Sequence, residues 1–259
     1  MILEINDLYV TYNSSSNSHQ AVRGVTFALP ENSFCGLIGE SGSGKSTVLM
    51  TLLGLLPSGS TASGSIRYCG REILNLPEEE MQPLRQREIA LIPQGALNSF
   101  TPVMTIGRHI REVLSVHLGL EGEVAEKRIS ELLEEVELPA SIASRYPHEL
   151  SGGQKQRAAI ALALSCDPRL ILADEPTTAL DVVTQAAILK LLERLRREKS
   201  LTVMLVTHDL PVAASSCDKL FVMKDGELIE SGTPKELLES PRAEHTKALI
   251  SAMLNKDLG

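Results

Sequence analysis

The chain has 259 residues, of which 43% are hydrophobic and 22% charged, and this composition excludes disordered, collagen-like and low-complexity proteins. Its formal net charge of −8 argues against a nonspecific nucleic-acid binder, which needs a basic surface. A chain of this length is expected to form one large α/β domain with a small inserted subdomain.

Neither the cysteines nor the N-terminus points to export. The N-terminal segment MILEINDLYV carries acidic residues where a signal peptide would carry positive charge before an apolar run. No cysteine pair has zinc-ligand spacing, so the four cysteines are expected to be free thiols in a reducing cytosol. They are Cys35, Cys69, Cys166 and Cys217.

The first third of the chain predicts a β subdomain and then a strand–loop–helix unit. Short apolar runs separated by turn residues, LEINDLYVTY and AVRGVTFALPENS, indicate antiparallel strands. Residues 33–38 have the composition of a buried strand, and a helix is predicted from about Lys45 to Leu56.

The loop between that strand and helix, GESGSGKST, fits the pattern G-x-x-x-x-G-K-[ST]. Backbone N–H groups of such a loop wrap phosphates at a helix N-terminus. Lys45 is therefore expected to reach the β- and γ-phosphates, and the Ser46 hydroxyl to bind Mg²⁺. A Gly/Ser turn with a stray lysine is the weaker alternative. The candidate phosphate-binding residues are Gly39, Glu40, Ser41, Gly42, Ser43, Gly44, Lys45, Ser46 and Thr47.

The middle of the chain is predicted to be a helical insertion, followed by a second strand–helix–strand unit. Residues 96–150 contain helical patterns and no convincing strand, whereas RLILA, VVTQAAILKLLERLRRE and LTVMLVTH read as strand, helix and strand. Strands that alternate with helices predict a parallel sheet. A hairpin turn at 224–227 and a helical tail from about Pro234 complete the predicted elements.

Two further motifs carry candidate chemistry. Asp174 and Glu175 follow a buried strand, so Asp174 is expected in the magnesium shell and Glu175 beside the attacking water. On its own, Asp-Glu-Pro would more often be a helix-starting turn. The segment LSGGQKQR opens a helix and is a second potential phosphate site, formed by Ser151, Gly152, Gly153 and Gln154.

With LSGGQ, the sequence resembles the ATP-binding cassette (ABC) family over residues 2 to about 235. The resemblance implies ATP and Mg²⁺ as ligands. It places Tyr12 against adenine, Gln94 on Mg²⁺ and water, Asp181 in the loop that touches a partner subunit, and His208 on the γ-phosphate. Taken singly, Tyr12 would be a core or edge-strand aromatic and Gln94 a polar strand terminus. Asp181 would be a helix N-cap, and His208 a hydrogen-bonded histidine at a strand end.

The implied fold is an α/β P-loop NTPase (RecA-like) core with a parallel sheet, an N-terminal antiparallel β subdomain and an inserted α-helical subdomain. The expected divisions are 1–95 for the β subdomain and phosphate-loop core, 96–150 for the helical subdomain, 151–235 for the rest of the core, and 236–259 for a helical tail.

Within the family, the chain resembles a separate transport ATPase. Gln94 and Ser151 are only 57 residues apart, which excludes relatives with a long coiled coil between these motifs. The expected partners are two integral-membrane permease subunits, a second ATPase subunit or a second copy in a head-to-tail dimer, and indirectly an extracytoplasmic substrate-binding protein. The expected location is the cytoplasmic face of the membrane.

The expected cargo follows from segments near the second motif and the C-terminus. Segments such as DEPTTALDVVTQAAIL and PRAEHTKALISAM look like the peptide/nickel importer branch. Peptide importers of this branch usually continue into a cysteine-bearing extension, whereas this sequence stops at Gly259. Nickel, a nickel chelate or a related metal complex is therefore expected as cargo, and a di- or oligopeptide is the alternative. A nucleic-acid ATPase is disfavoured by the net charge of −8. A non-hydrolysing regulatory subunit is disfavoured because the residues expected for hydrolysis, Lys45, Asp174, Glu175 and His208, are all present.

Overall fold

The structure is a computed structural model that describes residues 1–13, 18–95 and 100–256. The chain divides into two compact units, Met1–Met81 with Thr202–Gly259, and Gln82–Leu201. The boundaries predicted from the sequence, after residues 95, 150 and 235, differ from this division and stay predictions. Residues 96–99, with which the predicted helical subdomain begins, and 257–259 lie outside the described residues.

Ten strands and nine α-helices lie in the described part of the chain. The strands are β1 (Leu3–Asn13), β2 (Ser18–Leu29), β3 (Phe34–Ile38), β4 (Thr61–Tyr68), β5 (Arg71–Glu72), β6 (Ile89–Ile92), β7 (Leu170–Asp174), β8 (Thr202–Thr207), β9 (Lys219–Lys224) and β10 (Glu227–Gly232). The helices are α1 (Lys45–Leu52), α2 (Glu78–Met81), α3 (Ile106–Leu118), α4 (Gly122–Glu135), α5 (Gly152–Leu164), α6 (Val182–Lys199), α7 (Leu210–Ser216), α8 (Pro234–Glu239) and α9 (Glu244–Lys256).

The first unit begins with an antiparallel sheet of order β2-β1-β4-β5. Apolar side chains of β1 such as Leu3, Ile5, Leu8 and Val10 are buried, and the strand has an irregularity between Ile5 and Leu8. Strands β4 and β5 are not among the predicted elements, because Thr61–Tyr68 is rich in small polar residues and has few apolar ones. The antiparallel β subdomain is therefore present and larger than predicted.

The same unit contains four strands in the order β10-β9-β3-β8. Strand β3 runs parallel to both β8 and β9, and all five of its residues are buried. A continuous apolar run is typical of a parallel strand that is covered on both faces. β10 pairs antiparallel with β9 through a two-residue turn, Asp225 and Gly226, whose φ angles of 49° and 85° suit a tight hairpin.

The second unit contains β6 and β7, which pair in parallel, and helices α3 to α6. Within its described residues 100–150 there are helices α3 and α4, two short 3₁₀ helices, and no strand, so the predicted helical insertion is present. The side chain of Thr105 caps α3 by accepting a hydrogen bond from the backbone N–H of Arg108, and Gly119 ends the helix with φ of 65°.

Helix α1 is shorter than predicted. It ends at Leu52, whereas the sequence pattern extends to Leu56. Gly54 has φ of 61°, a left-handed conformation that ends a helix, and Pro57 follows. None of the described helices combines the length and apolar composition needed to cross a membrane.

Candidate active site

The glycine-rich loop joins β3 to α1 in the first unit, as the motif requires. Two of its glycines have no room for a side chain. A Cβ on Gly39 would lie 2.3 Å from the carbonyl oxygen of Met223, and a Cβ on Gly44, whose φ is 99°, would lie 2.4 Å from that of Ala21. The turn at Gly226 supports the loop from outside, since its N–H donates to the carbonyl of Ser43 at 3.1 Å. Backbone on three sides therefore fixes the loop.

Lys45 is the buried charge of this loop, with only 5% of the residue exposed. Its Nζ donates hydrogen bonds to the carbonyl oxygens of Gly39 at 2.8 Å and Glu40 at 2.7 Å, and to Oγ of Ser43 at 3.2 Å. A buried ammonium group needs such acceptors. These oxygens hold the cation within the loop, where the oxygens of a phosphate chain would be equally suitable partners.

The parallel register brings His208 to the same sheet edge as the loop. Thr207, the last residue of β8, pairs with Ile38, the last residue of β3. Gly39 and His208 are therefore the first residues beyond the two paired strand ends. His208 is exposed, and the next residue, Asp209, begins α7 by accepting a hydrogen bond from the N–H of Val212 at 3.0 Å. Ligands of open α/β sheets bind at this edge.

Tyr12 contacts the helix that follows the phosphate loop. It lies on β1, a strand paired on both sides, and is half-buried. Its hydroxyl donates a hydrogen bond of 3.0 Å to Oγ1 of Thr47. The ring is thus tethered to the first turn of α1, a contact that a sequence pattern cannot predict because it joins residues 35 apart.

The second unit brings together two of the predicted catalytic residues. Ile92 of β6 pairs with Ala173 of β7, and Gln94 and Glu175 each lie two residues beyond this pair. Nε2 of Gln94 donates to Oε2 of Glu175 at 3.1 Å, and Oγ1 of Thr178 donates to the same oxygen at 3.0 Å. The Thr178 contact is absent from the sequence prediction, although a hydroxyl three residues after Glu175 is a recognisable signal.

Asp174 is the last residue of β7 and is 6% exposed. Glu175, immediately after it, has φ of 45°, which is unusual for a residue with a side chain. The separate roles predicted for Asp174 and Glu175 stay a prediction.

Ser151 begins helix α5, as predicted. Its Oγ accepts a hydrogen bond from the N–H of Gln154 at 3.3 Å, and Oε1 of Gln154 accepts one from the N–H of Ser151 at 3.0 Å, a capping box. Ser151 is exposed. A helix start of this kind combines backbone donors with a positive partial charge, and it can take up an anion.

Asp181 begins the neighbouring helix α6 in the same way. It accepts hydrogen bonds from the N–H of Thr184 at 2.9 Å and from its Oγ1 at 2.7 Å, and these bonds lower the pKa of the Asp181 carboxyl. The two helix starts are close, because a Cβ on Gly153 would lie 2.9 Å from Cγ2 of Thr184. The N-cap interpretation of Asp181 is therefore confirmed, and its role toward a partner stays a prediction.

All predicted site residues lie within the described residues and fall into two groups, one in each unit. The first unit holds Tyr12, Gly39–Thr47 and His208. The second holds Gln94, Asp174 and Glu175, together with Ser151–Gln154 and Asp181. The supports at Ala21, Met223 and Gly226 are missing from the sequence prediction, since no local signal marks residues that contact the loop from other strands.

Comparison with known proteins gives a consistent result. Residues 22–178 match the family model described as ABC transporter. The chain is 41% identical to the oligopeptide transport ATP-binding protein OppD of Salmonella typhimurium, over 99% of this chain and 77% of that protein. It is 40% identical to OppD of Bacillus subtilis, over 97% of this chain and 72% of that protein.

Two solved structures have the same fold. One is the dimeric structure of the ATP-binding cassette MJ0796 in a post-hydrolysis state with ADP and Pi bound, with a TM-score of 0.80 and 32% identity over 90% of this chain and 98% of that one. The other is cbiO1 from Clostridium perfringens, described as part of the ABC transporter complex cbiONQ, with a TM-score of 0.77 and 28% identity over 92% of this chain and 91% of that one.

Proposed function

The chain belongs to the ABC transporter family and is an ATPase of that family, and from this premise we propose that it drives the import of oligopeptides. The observation that carries the proposal is the similarity of nearly the whole chain to oligopeptide transport ATP-binding proteins. The nickel expectation rests on chain length, and these relatives do not support it. The peptide alternative is therefore adopted.

ATP is proposed to bind with its phosphates on Gly39–Thr47 and its adenine on Tyr12. The loop suits phosphates, since the Cβ positions of Gly39 and Gly44 are filled by backbone and Lys45 is a buried cation among oxygen acceptors. The side chains proposed for Mg²⁺ are Ser46, Gln94 and Asp174, and their hydroxyl, amide and carboxylate oxygens are ligands that this hard cation prefers. Bound Mg²⁺ would neutralise charge on the phosphates.

For hydrolysis, the proposed base is Glu175, held by Gln94 and Thr178 in the orientation described above. It takes a proton from the water that attacks the γ-phosphorus, as the bond from that phosphorus to the bridging oxygen breaks and ADP leaves. Lys45 and His208 stabilise charge on the γ-phosphate oxygens. Ser151–Gln154 and Asp181 are proposed to face the ATP of a second ATPase subunit, either a homologue or a second copy, in a head-to-tail pair. That pairing would complete the set of donors around the phosphate.

The complete transporter is proposed to contain this chain at the cytoplasmic face of the membrane, two membrane permease subunits and an external substrate-binding protein. The test is to purify the complex, reconstitute it in liposomes and measure ATP hydrolysis with a peptide-loaded binding protein. We expect peptide to stimulate hydrolysis and to accumulate inside, and Lys45→Ala to abolish both. Stimulation by a nickel chelate and not by peptide would overturn the cargo proposal, and failure to copurify with membrane proteins would overturn the transport role.

A further inference from the structure

The C-terminal helix α9 contacts the phosphate loop through one side chain. His245 lies on the first turns of α9, and only 9% of its side chain is exposed. Its Nε2 lies 3.9 Å from Oε1 of Glu40, the second residue of the loop. Helix α9 therefore begins beside the residues proposed to hold phosphate, although it follows them by some two hundred positions in the sequence.

The start of α9 is fixed to the sheet. The carboxylate of Glu230 on β10 accepts hydrogen bonds from the backbone N–H groups of Arg242 at 2.7 Å and Ala243 at 3.0 Å. A carboxylate at this position also matches the positive end of the helix dipole. Thr246, the neighbour of His245, is fully buried. The hydrogen bonds from the start of α9 to Glu230 on β10 therefore fix the position of the His245 imidazole.

The imidazole is left incompletely paired. Within the described part of the chain, Nε2 of His245 is buried and has no hydrogen-bond partner. Its distance of 3.9 Å to Oε1 of Glu40 is too long for a hydrogen bond. A buried polar atom without a partner carries a free-energy cost. Because 68% of the Glu40 side chain is exposed, it is able to approach His245 and remove that cost.

Glu40 connects this pair to the buried lysine. Its side chain faces His245, while its carbonyl oxygen accepts the 2.7 Å hydrogen bond from Nζ of Lys45. We propose that His245 is a positioning residue for ATP binding, which acts by holding Glu40 and with it the first turn of the phosphate loop. This inference rests on the proposed ATP site at Gly39–Thr47. A loop ordered in advance loses less conformational entropy when it binds phosphate, so its affinity is higher.

The experiment is a double-mutant cycle on nucleotide affinity with the full chain, using titration of fluorescent MgATP. We expect His245→Leu and Glu40→Gln each to raise Kd about threefold, the size of effect of one partly exposed polar side-chain pair. The double variant should be no weaker than either single variant. His245→Gln should keep an affinity near that of the wild type, because its amide places an N–H donor toward Glu40.

The matched control is Lys247→Leu, two residues further along α9, where the side chain pairs with Glu244 at 2.6 Å. Its Kd should equal that of the wild type, and thermal unfolding of each variant checks that it is folded. The inference would be overturned if the increases in Kd of the two single variants multiplied in the double variant, or if His245→Gln lost as much affinity as His245→Leu. Either result would leave the proposed ATP site standing. A Lys45→Ala variant that binds MgATP as tightly as the wild type would instead overturn the proposed site.

Discussion

At the scale of single residues, the Glu175 carboxylate follows the last residue of β7, Asp174. One of its oxygens accepts hydrogen bonds from both Gln94 and Thr178, and its backbone has φ of 45°. Such left-handed backbone costs about 1 kcal/mol in a residue with a side chain.

We expect Glu175→Gln to bind ATP nearly as well as the wild type and to hydrolyse it slower by a factor on the order of 10² or more, because a positioned base contributes that much. The amide keeps the size of the side chain and an oxygen acceptor for Gln94, and it loses only the basicity. Phosphate release by the reconstituted transporter measures the rate. Thr178→Val is the control, since it removes one hydrogen bond that orients the Glu175 carboxylate and keeps its basicity. Unchanged turnover in Glu175→Gln would refute the assignment of Glu175 as the base.

Tyr12 makes two separable contributions, the ring and the hydroxyl bonded to Thr47. We expect Tyr12→Ala to weaken nucleotide binding by around 1 kcal/mol, the usual effect of losing an aromatic stacking partner. Tyr12→Phe keeps the ring, and its affinity should stay close to that of the wild type. Nucleotide titration of both variants decides the matter. Equal losses would assign the effect to the hydroxyl bond of 3.0 Å and refute the stacking role.

Site residues could be predicted where they form a short motif of consecutive positions. The loop from Gly39 to Thr47 and the pair Asp174–Glu175 could be predicted from the sequence, because each is a short motif at the end of a buried strand. Residues such as Met223 and Ala21 were not, since their backbone contacts with the loop depend on how distant strands pair. The same limit applies to Thr47 as the partner of the Tyr12 hydroxyl.

At the scale of elements, the N-cap of α6 makes stability depend on pH. Hydrogen bonds from Thr184 lower the pKa of Asp181 from its ordinary value of 3.8. A lowered pKa means that the stabilisation is fully present above that ordinary value and is lost as the pH falls through the lower, folded pKa. We therefore expect the wild type to lose stability relative to Asp181→Asn, whose amide still caps the helix, in strongly acidic solution.

Urea unfolding of the wild type and Asp181→Asn across the acid range measures this difference, and subtraction of the two curves removes the titration of all other carboxyl groups. The difference should be constant near neutral pH. A difference that stays constant below the ordinary pKa would show that the hydrogen bonds to Thr184 do not stabilise the helix.

Elements with a strong periodic pattern were predictable, and those set by their neighbours were not. The long helix α6 and strands β3, β7 and β8 lie within one or two residues of their predicted limits, since apolar runs and caps define them. Helix α1 ends early because Gly54 takes a left-handed conformation, which an apolar pattern does not reveal. Strand β4 is stabilised by pairing with β1, so its own polar sequence gave no signal.

At the scale of the whole molecule, the ABC ATPase fold predicted from the sequence is confirmed. The two helix starts at Ser151 and Asp181 remain the proposed contact with a second subunit. We expect Ser151→Arg to abolish turnover and ATP-driven dimerisation, because it places a bulky cation where the partner's phosphate enters. ATP affinity of the monomer should change less than threefold, under ~0.7 kcal/mol.

Nucleotide titration measures the ATP affinity, and light scattering measures ATP-driven dimerisation. Both are done in the Glu175→Gln background, so that ATP-bound dimers accumulate. Ser151→Ala is the matched control, since it removes the cap that Ser151 provides to Gln154, worth about 1 kcal/mol, and adds no bulk. A Ser151→Arg variant that still dimerises with ATP, or that loses affinity as severely as Lys45→Ala, would show that the motif acts on the ATP of its own subunit.

The hairpin turn at Asp225 and Gly226 has a practical consequence. By sequence it is an ordinary place to attach a fluorophore or splice in an affinity tag, since short polar turns usually tolerate insertion. Here, however, Gly226 is buried, donates to the carbonyl of Ser43, and accepts from the N–H of Arg23 at 2.8 Å. A dye on Asp225 would report on the phosphate loop, and an inserted tag would displace the backbone that supports it.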